Sequence, residues 1–194
     1  MVNSAFRGDP GVPFESADLV KWRKVFEVNL WGALQLTQAC VPALAARGVA
    51  RTEITLHVGY GTFQPVRVAR VEDHRLEPEH YEVSESAVTA IDAARAAGRR
   101  IISVGTTTTR TLEAVAQAHD GRVVAGRGST DLFIYPGFVF LIAGGLLTNF
   151  HLPHSSLFML VSAFAGRDLA RSAYDAAIAE RYRFYSYGDA MLVL

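Results

Sequence analysis

From position 53 to the C-terminus, short apolar runs alternate with helix-length segments, and this alternation constrains the fold more than any other feature of the chain. Residues 53–58, 66–71, 100–104, 133–135, 138–142, 146–150 and 191–194 read as strands. Between them, Ser84 caps a helix over 85–97, with Val88, Ile91 and Ala94 facing inward and Gly98 as its stop. A second helix covers 108–118. Ser155 or Ser156 opens another to about residue 165, and Asp168 caps one running to about residue 181. Residues 72–80 are dense in charge and read as a loop. Strands interleaved with helices predict an α/β fold, a layered mixed sheet with flanking helices.

The first 47 residues have a different texture. Residues 7–16 carry two prolines and two glycines and read as turns. Ser16 caps a long helix over 17–39, where Leu19, Trp22, Val25, Phe26, Trp31 and Leu34 fall mainly at helical spacing. Val28 and Leu30 widen that stripe, so the helix needs burial on more than one side, and Pro42 bends or ends it. Basic residues divide unevenly as well: the chain has 17 Arg and two Lys, and no Lys follows Lys24.

Composition narrows the partners. Net charge is zero, so no global field draws the chain to nucleic acid or to an anionic membrane, and contact with RNA needs a local patch. Arg67, Arg70 and Arg75, the pair Arg99–Arg100, and Arg181 with Arg183 are the local candidates for phosphate; a solvated surface is the ordinary alternative for each. The single Cys40 excludes an internal disulfide and fits a reducing cytoplasm. The apolar stretch 133–147 is broken by Pro136, Gly137, Gly144 and Gly145 and is too short to span a bilayer. We expect a soluble, cytoplasmic protein.

Chemistry-bearing residues gather where runs end. Thr106, Thr107 and Arg110 sit where an apolar strand turns into a helix; backbone N–H groups, hydroxyls and a guanidinium there suit a carboxylate or phosphate. Equally, Thr107 or Thr108 can cap the helix while Arg110 pairs with Glu113. His57 precedes the turn Gly59-Tyr60-Gly61-Thr62, whose glycines let a ligand approach the backbone; a packed core histidine is the alternative. Asn149 and His151 end another apolar strand, and a histidine titrating near neutrality can act as acid or base. Tyr135 and Tyr187 offer aromatic faces for a ring or a cation. Asp189 offers a carboxylate base or a turn cap. Residues 121–128 are spaced somewhat like a phosphate loop, but Arg127 and Gly128 replace its Lys and Ser/Thr. His151 and His154 have no third ligand nearby, so no metal is expected.

The blocks Leu56-His57-Val58-Gly59-Tyr60-Gly61-Thr62-Phe63, Gly105-Thr106-Thr107, Thr148-Asn149-Phe150-His151-Leu152-Pro153 and Tyr187-Gly188-Asp189-Ala190-Met191, in this order, resemble the C-terminal half of the S-adenosylmethionine:tRNA ribosyltransferase-isomerases. That resemblance covers residues 48–194. It implies an α/β domain without the family's inserted β-barrel. It also implies transfer and isomerisation of the ribosyl group of S-adenosylmethionine onto 7-aminomethyl-7-deazaguanine in the tRNA anticodon, giving epoxyqueuosine, by a monomer without metal. By the same resemblance His151, Asn149, Asp189 and His57 are the candidate catalytic residues. Thr106, Thr107, Arg110, Gly59, Gly61, Thr62, Tyr135 and Tyr187 are candidates for holding S-adenosylmethionine. Two departures stand out: residues 76–79 replace a stretch that usually carries a His, and Thr108-Thr109 replaces a Ser-Val pair.

Residues 1–47 resemble an internal helical fragment of a short-chain dehydrogenase, with Asn3-Ser4-Ala5 and Val25-Phe26-Glu27-Val28-Asn29 carrying the likeness. Hydride transfer needs a nucleotide-binding turn and a Tyr-x-x-x-Lys pair; neither is present. The sequence therefore predicts an α/β partial transferase impaired by the lack of half the enzyme, the alternatives being an inactive binding remnant or a product of joined reading frames.

Overall fold

The computed structural model describes residues 33–59, 66–68, 70–184 and 189–194. Residues 51–185 together with 189–194 form one compact unit, and residues up to 50 belong to another. In the latter, helix α1 (Ala33–Ala46) continues through Pro42 instead of ending there. The proline deprives Gln38 of its usual i+4 donor; Gln38 is exposed, so water can satisfy its carbonyl. Most of the expected 17–39 helix lies outside the described residues.

The larger unit is α/β, as the alternation predicts, with its strands divided between two three-stranded sheets. The first sheet is antiparallel, in the order β1 (Thr55–Leu56), β2 (Glu79–Val83), β4 (Gly126–Thr130). The second joins β3 (Ile102–Val104) in parallel to β5 (Gly145–Asn149), which pairs antiparallel with β6 (Ala190–Val193). No closed barrel is present among the described residues.

Four helices pack around these sheets: α2 (Glu85–Ala96), α3 (Thr106–Ala118), α4 (Ser156–Ala165) and α5 (Arg167–Ala179). The Ser84 cap forms as expected, its hydroxyl accepting from the Ala87 N–H at 3.2 Å, and Gly98 stops α2 at φ +62°. At α5 the cap is Gly166 (φ +83°), with Asp168 inside the first turn instead of preceding it. There the carboxylate still faces the positive end of the helix.

Two apolar cores result. Val83, Ile91, Leu112, Val115 and Ile142 form one, between the first sheet and helices α2 and α3. Ile134, Leu146, Phe150, Leu160, Val161 and Tyr174 form the other, beneath α4 and α5.

Strands β2 and β4 both escape the sequence pattern. In β2 the two buried ends are Val83 and a charged residue, Glu79, so the stretch reads as a polar loop. In β4 the run Gly-Arg-Gly-Ser-Thr has no apolar alternation at all. Its Gly128 opposes Tyr81, whose ring occupies the space a Cβ would need, 2.7 Å from Cζ. The aromatic ring thus covers a glycine across the strands. Conversely, the described residues of 66–71, and those of 133–135 and 138–142, form no strand; residues 71–73 make a single 3-10 turn, and the aromatics of 133–140 pack as loop anchors.

Candidate functional site

The turn from β3 into α3 is built on Gly105, whose φ of +92° places it in the region that favours glycine. Its N–H donates to the Leu147 carbonyl at 2.8 Å, tying the turn to the end of β5. No side chain caps α3. The Thr108 hydroxyl donates backward to the Val104 carbonyl (2.8 Å) and that of Thr109 to the Gly105 carbonyl (3.2 Å), so neither serves the first-turn N–H groups. Thr106 is buried and Thr107 half-buried at the start of that turn. The capping alternative for Thr107 and Thr108 is therefore not what forms.

Beside it stands the start of α4, where Ser155 accepts from the Phe158 N–H at 3.1 Å. The first turns of α3 and α4 open on one recess, lined by Leu76, Thr106, Arg110, Phe133, Ser156 and Leu157. It encloses about 10 Å³, room for about one water molecule, against roughly 300–1,000 Å³ for small-molecule pockets.

Arg110 reaches from α3 to Glu79 on β2, and both side chains are buried. The other Glu79 oxygen accepts from the Gly59 N–H at 2.8 Å. One carboxylate thus fixes the guanidinium at the recess and the glycine turn after β1. Burial lowers the Arg110 pKa to about 10, which leaves it charged at neutral pH. Glu113, the other acid within reach along the helix, instead accepts from the N–H groups of Leu141, Ile142 and Ala143 (2.6, 3.0 and 2.8 Å), pinning the loop that leads into β5.

At the end of β5, the Asn149 side chain donates to the Asp189 carbonyl at 3.2 Å. The Asp189 carboxylate is held by the Arg183 guanidinium (3.2 Å from both Nε and Nη2) and by the Arg183 backbone N–H. These bonds lower the Asp189 pKa and raise that of Arg183. His151 is buried: its Nε2 shares a hydrogen bond with Thr148 Oγ1 (2.9 Å), and its backbone N–H donates to the Tyr174 hydroxyl (2.9 Å). Burial depresses its pKa to about 4, so the ring is neutral near pH 7. The same burial raises the Tyr174 hydroxyl to about 12.

Among the sequence candidates, the structure gathers Thr106, Arg110 and Gly59 around Glu79 and the recess, and joins Asn149 to Asp189. Tyr135 stacks on Phe133, a wall of the recess, with ring centres 5.4 Å apart. His57 is exposed, its backbone N–H donating to the His80 carbonyl at 2.8 Å. Gly61, Thr62 and Tyr187 lie outside the described residues.

Glu79, Ser156 and Tyr174 are additions that the sequence does not single out. His74 is a further one, edge-on to Phe133 at 4.8 Å, with a buried Nε2 and a pKa lowered by burial. Glu79 carries no local signal, since it lies in a stretch dense in charge that reads as a loop. Among the described residues no cluster of three or more His, Cys, Asp or Glu could hold a metal, and no helix is long and apolar enough to cross a membrane.

Comparison with known proteins bears on this geometry. Residues 31–193 match the family model described as queuosine biosynthesis protein. A curated S-adenosylmethionine:tRNA ribosyltransferase-isomerase of Geobacter sulfurreducens is 48% identical over 185 residues, covering 92% of this chain and 54% of the relative. That of Heliobacterium modesticaldum is 52% identical over 161 residues, covering 83% and 47%. The crystal structure of an S-adenosylmethionine tRNA ribosyltransferase from Thermotoga maritima superposes with a TM-score of 0.64 at 42% identity, over 79% of this chain and 48% of that one. The chain spans about half the length of the curated relatives it matches.

Proposed function

Because the chain belongs to the queuosine biosynthesis protein family, we propose that it contributes the S-adenosylmethionine-binding wall of a tRNA ribosyltransferase-isomerase. The reaction is transfer and isomerisation of the ribosyl group onto 7-aminomethyl-7-deazaguanine in tRNA, with methionine and adenine leaving. The observation that carries this reading is the recess between the first turns of α3 and α4, with the charged Arg110 fixed at its wall. Helix N-termini attract a carboxylate, which suits the amino-acid end of the donor, while Arg110, paired with Glu79, fixes the wall beside them. Thr106, Thr107 and Gly59 frame that end, and Tyr135 and Tyr187 supply aromatic contact for the adenine or the sulfonium.

The chemistry needs a base at the carbon beside the sulfonium and a proton for the departing adenine. Asn149 lies nearest the reacting atoms in this reading, with Asp189 behind it and His57 on the exposed side. His151, buried and neutral, positions the end of β5 through Thr148 and Tyr174. The recess is too small to enclose the donor, so its other wall comes from the part of the family fold beyond the matched residues. We further propose action on tRNA in the cytoplasm, as a monomer and without metal.

The test is adenine release from S-adenosylmethionine in the presence of tRNA bearing 7-aminomethyl-7-deazaguanine. The full chain is assayed alone and after co-expression with the unmatched part of the Geobacter relative. Weak donor binding and no release are expected from the chain alone, and release from the assembled pair. If the assembled pair binds the donor but releases no adenine, the transferase reading falls and a binding module remains. That second reading is favoured by the half-length match.

A further inference from the structure

On the outer face of the first sheet two histidines stand across from one another. The register Thr55↔Glu82 and Leu56↔Tyr81 brings His57 opposite His80, and the His57 N–H donates to the His80 carbonyl at 2.8 Å. Side chains alternate along a strand, so with Tyr81 packed against the core cluster of Val83 and Ile91, His80 points away from it. Residues directly opposite share a face, with Cβ atoms about 4.5–5.5 Å apart. Both histidines are exposed, as is Ser129, the residue opposite His80 on β4. Among the described residues no hydrogen bond holds either imidazole, so the two rings can turn toward each other.

We propose that His57 and His80 form a two-imidazole site for a divalent transition ion, which clips β1 to β2. Imidazole nitrogens lie about 2.0–2.1 Å from such an ion, so two of them come to roughly 3 Å from one another. Rings carried on Cβ atoms about 5 Å apart can reach that arrangement. Imidazole suits Cu²⁺, Ni²⁺ and Zn²⁺, whereas Mg²⁺ and Ca²⁺ take oxygen ligands. Among the described residues no third His, Cys, Asp or Glu completes the pair. Glu82, two residues along the same face, has its carboxylate on Arg127 at 3.0 Å. Water fills the remaining positions, so the ion is exchangeable, unlike a structural zinc closed by four protein ligands. His151 and His154 make no such pair, because His151 is buried and its Nε2 is bonded to Thr148. The clip falls on a weakly held strand: β1 is two residues long and pairs only with β2 among the described residues. Two residues after His57, the Gly59 N–H meets Glu79, the partner of Arg110. An ion across the pair therefore steadies the glycine turn at the candidate site and takes up His57. The site goes beyond the proposed reaction, which uses no metal, and does not depend on it.

The probes are Ni²⁺, Cu²⁺ and Mg²⁺, each titrated alone into the full chain by calorimetry, with thermal unfolding midpoints measured in parallel. One Ni²⁺ per chain is expected, with Cu²⁺ bound more tightly, as the Irving–Williams order requires, and Mg²⁺ not bound. His80→Asn and His57→Asn should each weaken Ni²⁺ at least about tenfold, no less than the loss of an outer-shell partner costs. His119→Gln, just past α3, should leave it unchanged. Unfolded chains also bind such ions through scattered His and Cys, so the midpoint decides where the ion sits: Ni²⁺ should raise it in the parent and not in His80→Asn. Both histidines are exposed, so the variants are expected to fold, which circular dichroism checks. Ni²⁺ binding unchanged in both histidine variants, or lost only in Cys40→Ser, overturns the proposal. So does a midpoint that Ni²⁺ does not raise. Ion binding is read without turnover, so its outcome is separate from that of the adenine assay.

Discussion

The two ends of the candidate site hold the same kind of pair, an arginine against a carboxylate, in opposite surroundings. At the recess, the Arg110 and Glu79 side chains are 5% and 2% exposed; at the end of β5, those of Arg183 and Asp189 are 56% and 27% exposed. In the buried pair each ion has given up water, and the mutual attraction has to offset that loss. In the exposed pair water and salt screen the attraction, and little is lost when the partners separate. The buried end is therefore rigid but intolerant of change. The exposed end can exchange partners at little cost.

The comparison breaks first at Glu79. Glu79→Gln keeps the shape and removes the charge, leaving the Arg110 guanidinium buried beside a neutral amide. We expect a loss of about 3–5 kcal/mol in urea unfolding. Replacing both partners by Met should recover much of it, because no uncompensated charge remains. A loss below about 1 kcal/mol in Glu79→Gln, the value of a surface pair, would show that water reaches Arg110 and that the two ends do not differ.

His151 tests the neighbouring chemistry by pH. Its folded pKa of about 4 lies below its ordinary 6.5 because burial disfavours the imidazolium. Between these values the unfolded chain binds a proton that the folded chain does not, so stability falls as pH drops from about 6.5 to about 4. The full difference is about 3 kcal/mol, present above pH 6.5. Unfolding midpoints at pH 7 and pH 4.5 should differ less in His151→Gln than in the parent. Equal slopes in the two proteins would mean that His151 is solvated and free to exchange protons.

Legibility divided along the same line. The Ser84 and Ser155 caps, the helices and the positions of strands β3 and β5 follow from apolar spacing and local turn chemistry, which a linear sequence carries. The placing of Thr106 and Arg110 at a helix start was readable for the same reason. Glu79 was not, since its partners Arg110 and Gly59 are 31 and 20 residues away and only the tertiary fold makes a buried strand position out of an acid. Strand β4 was hidden because Gly128 is selected by the ring of Tyr81 and not by its own propensity. Pro42, read as bending or ending its helix, does not end it, and the exposed Gln38 one turn earlier leaves the freed carbonyl to water. His151 stood out as a titratable side chain at a strand end, yet its burial by Tyr174 and Thr148, invisible in sequence, alters what it can do.

The smallest effect is expected at Arg183. Arg183→Ala removes both guanidinium bonds to Asp189 but leaves the backbone N–H of residue 183 donating to the same carboxylate. Asp189 then keeps one partner and gains water, and the Asn149 contact, made to the Asp189 main-chain carbonyl, does not depend on the carboxylate at all. Unfolding at pH 7 should shift by no more than about 1 kcal/mol, and the shift should shrink with added salt. The sign with pH is opposite in origin to that at His151: Asp189 is held below its usual pKa, so its contribution is present above about pH 4 and disappears as the carboxylate protonates below that. A larger shift, insensitive to salt, would mean that the exposed pair is covered in solution. In that case it would belong with Glu79 and Arg110 as part of a closed site.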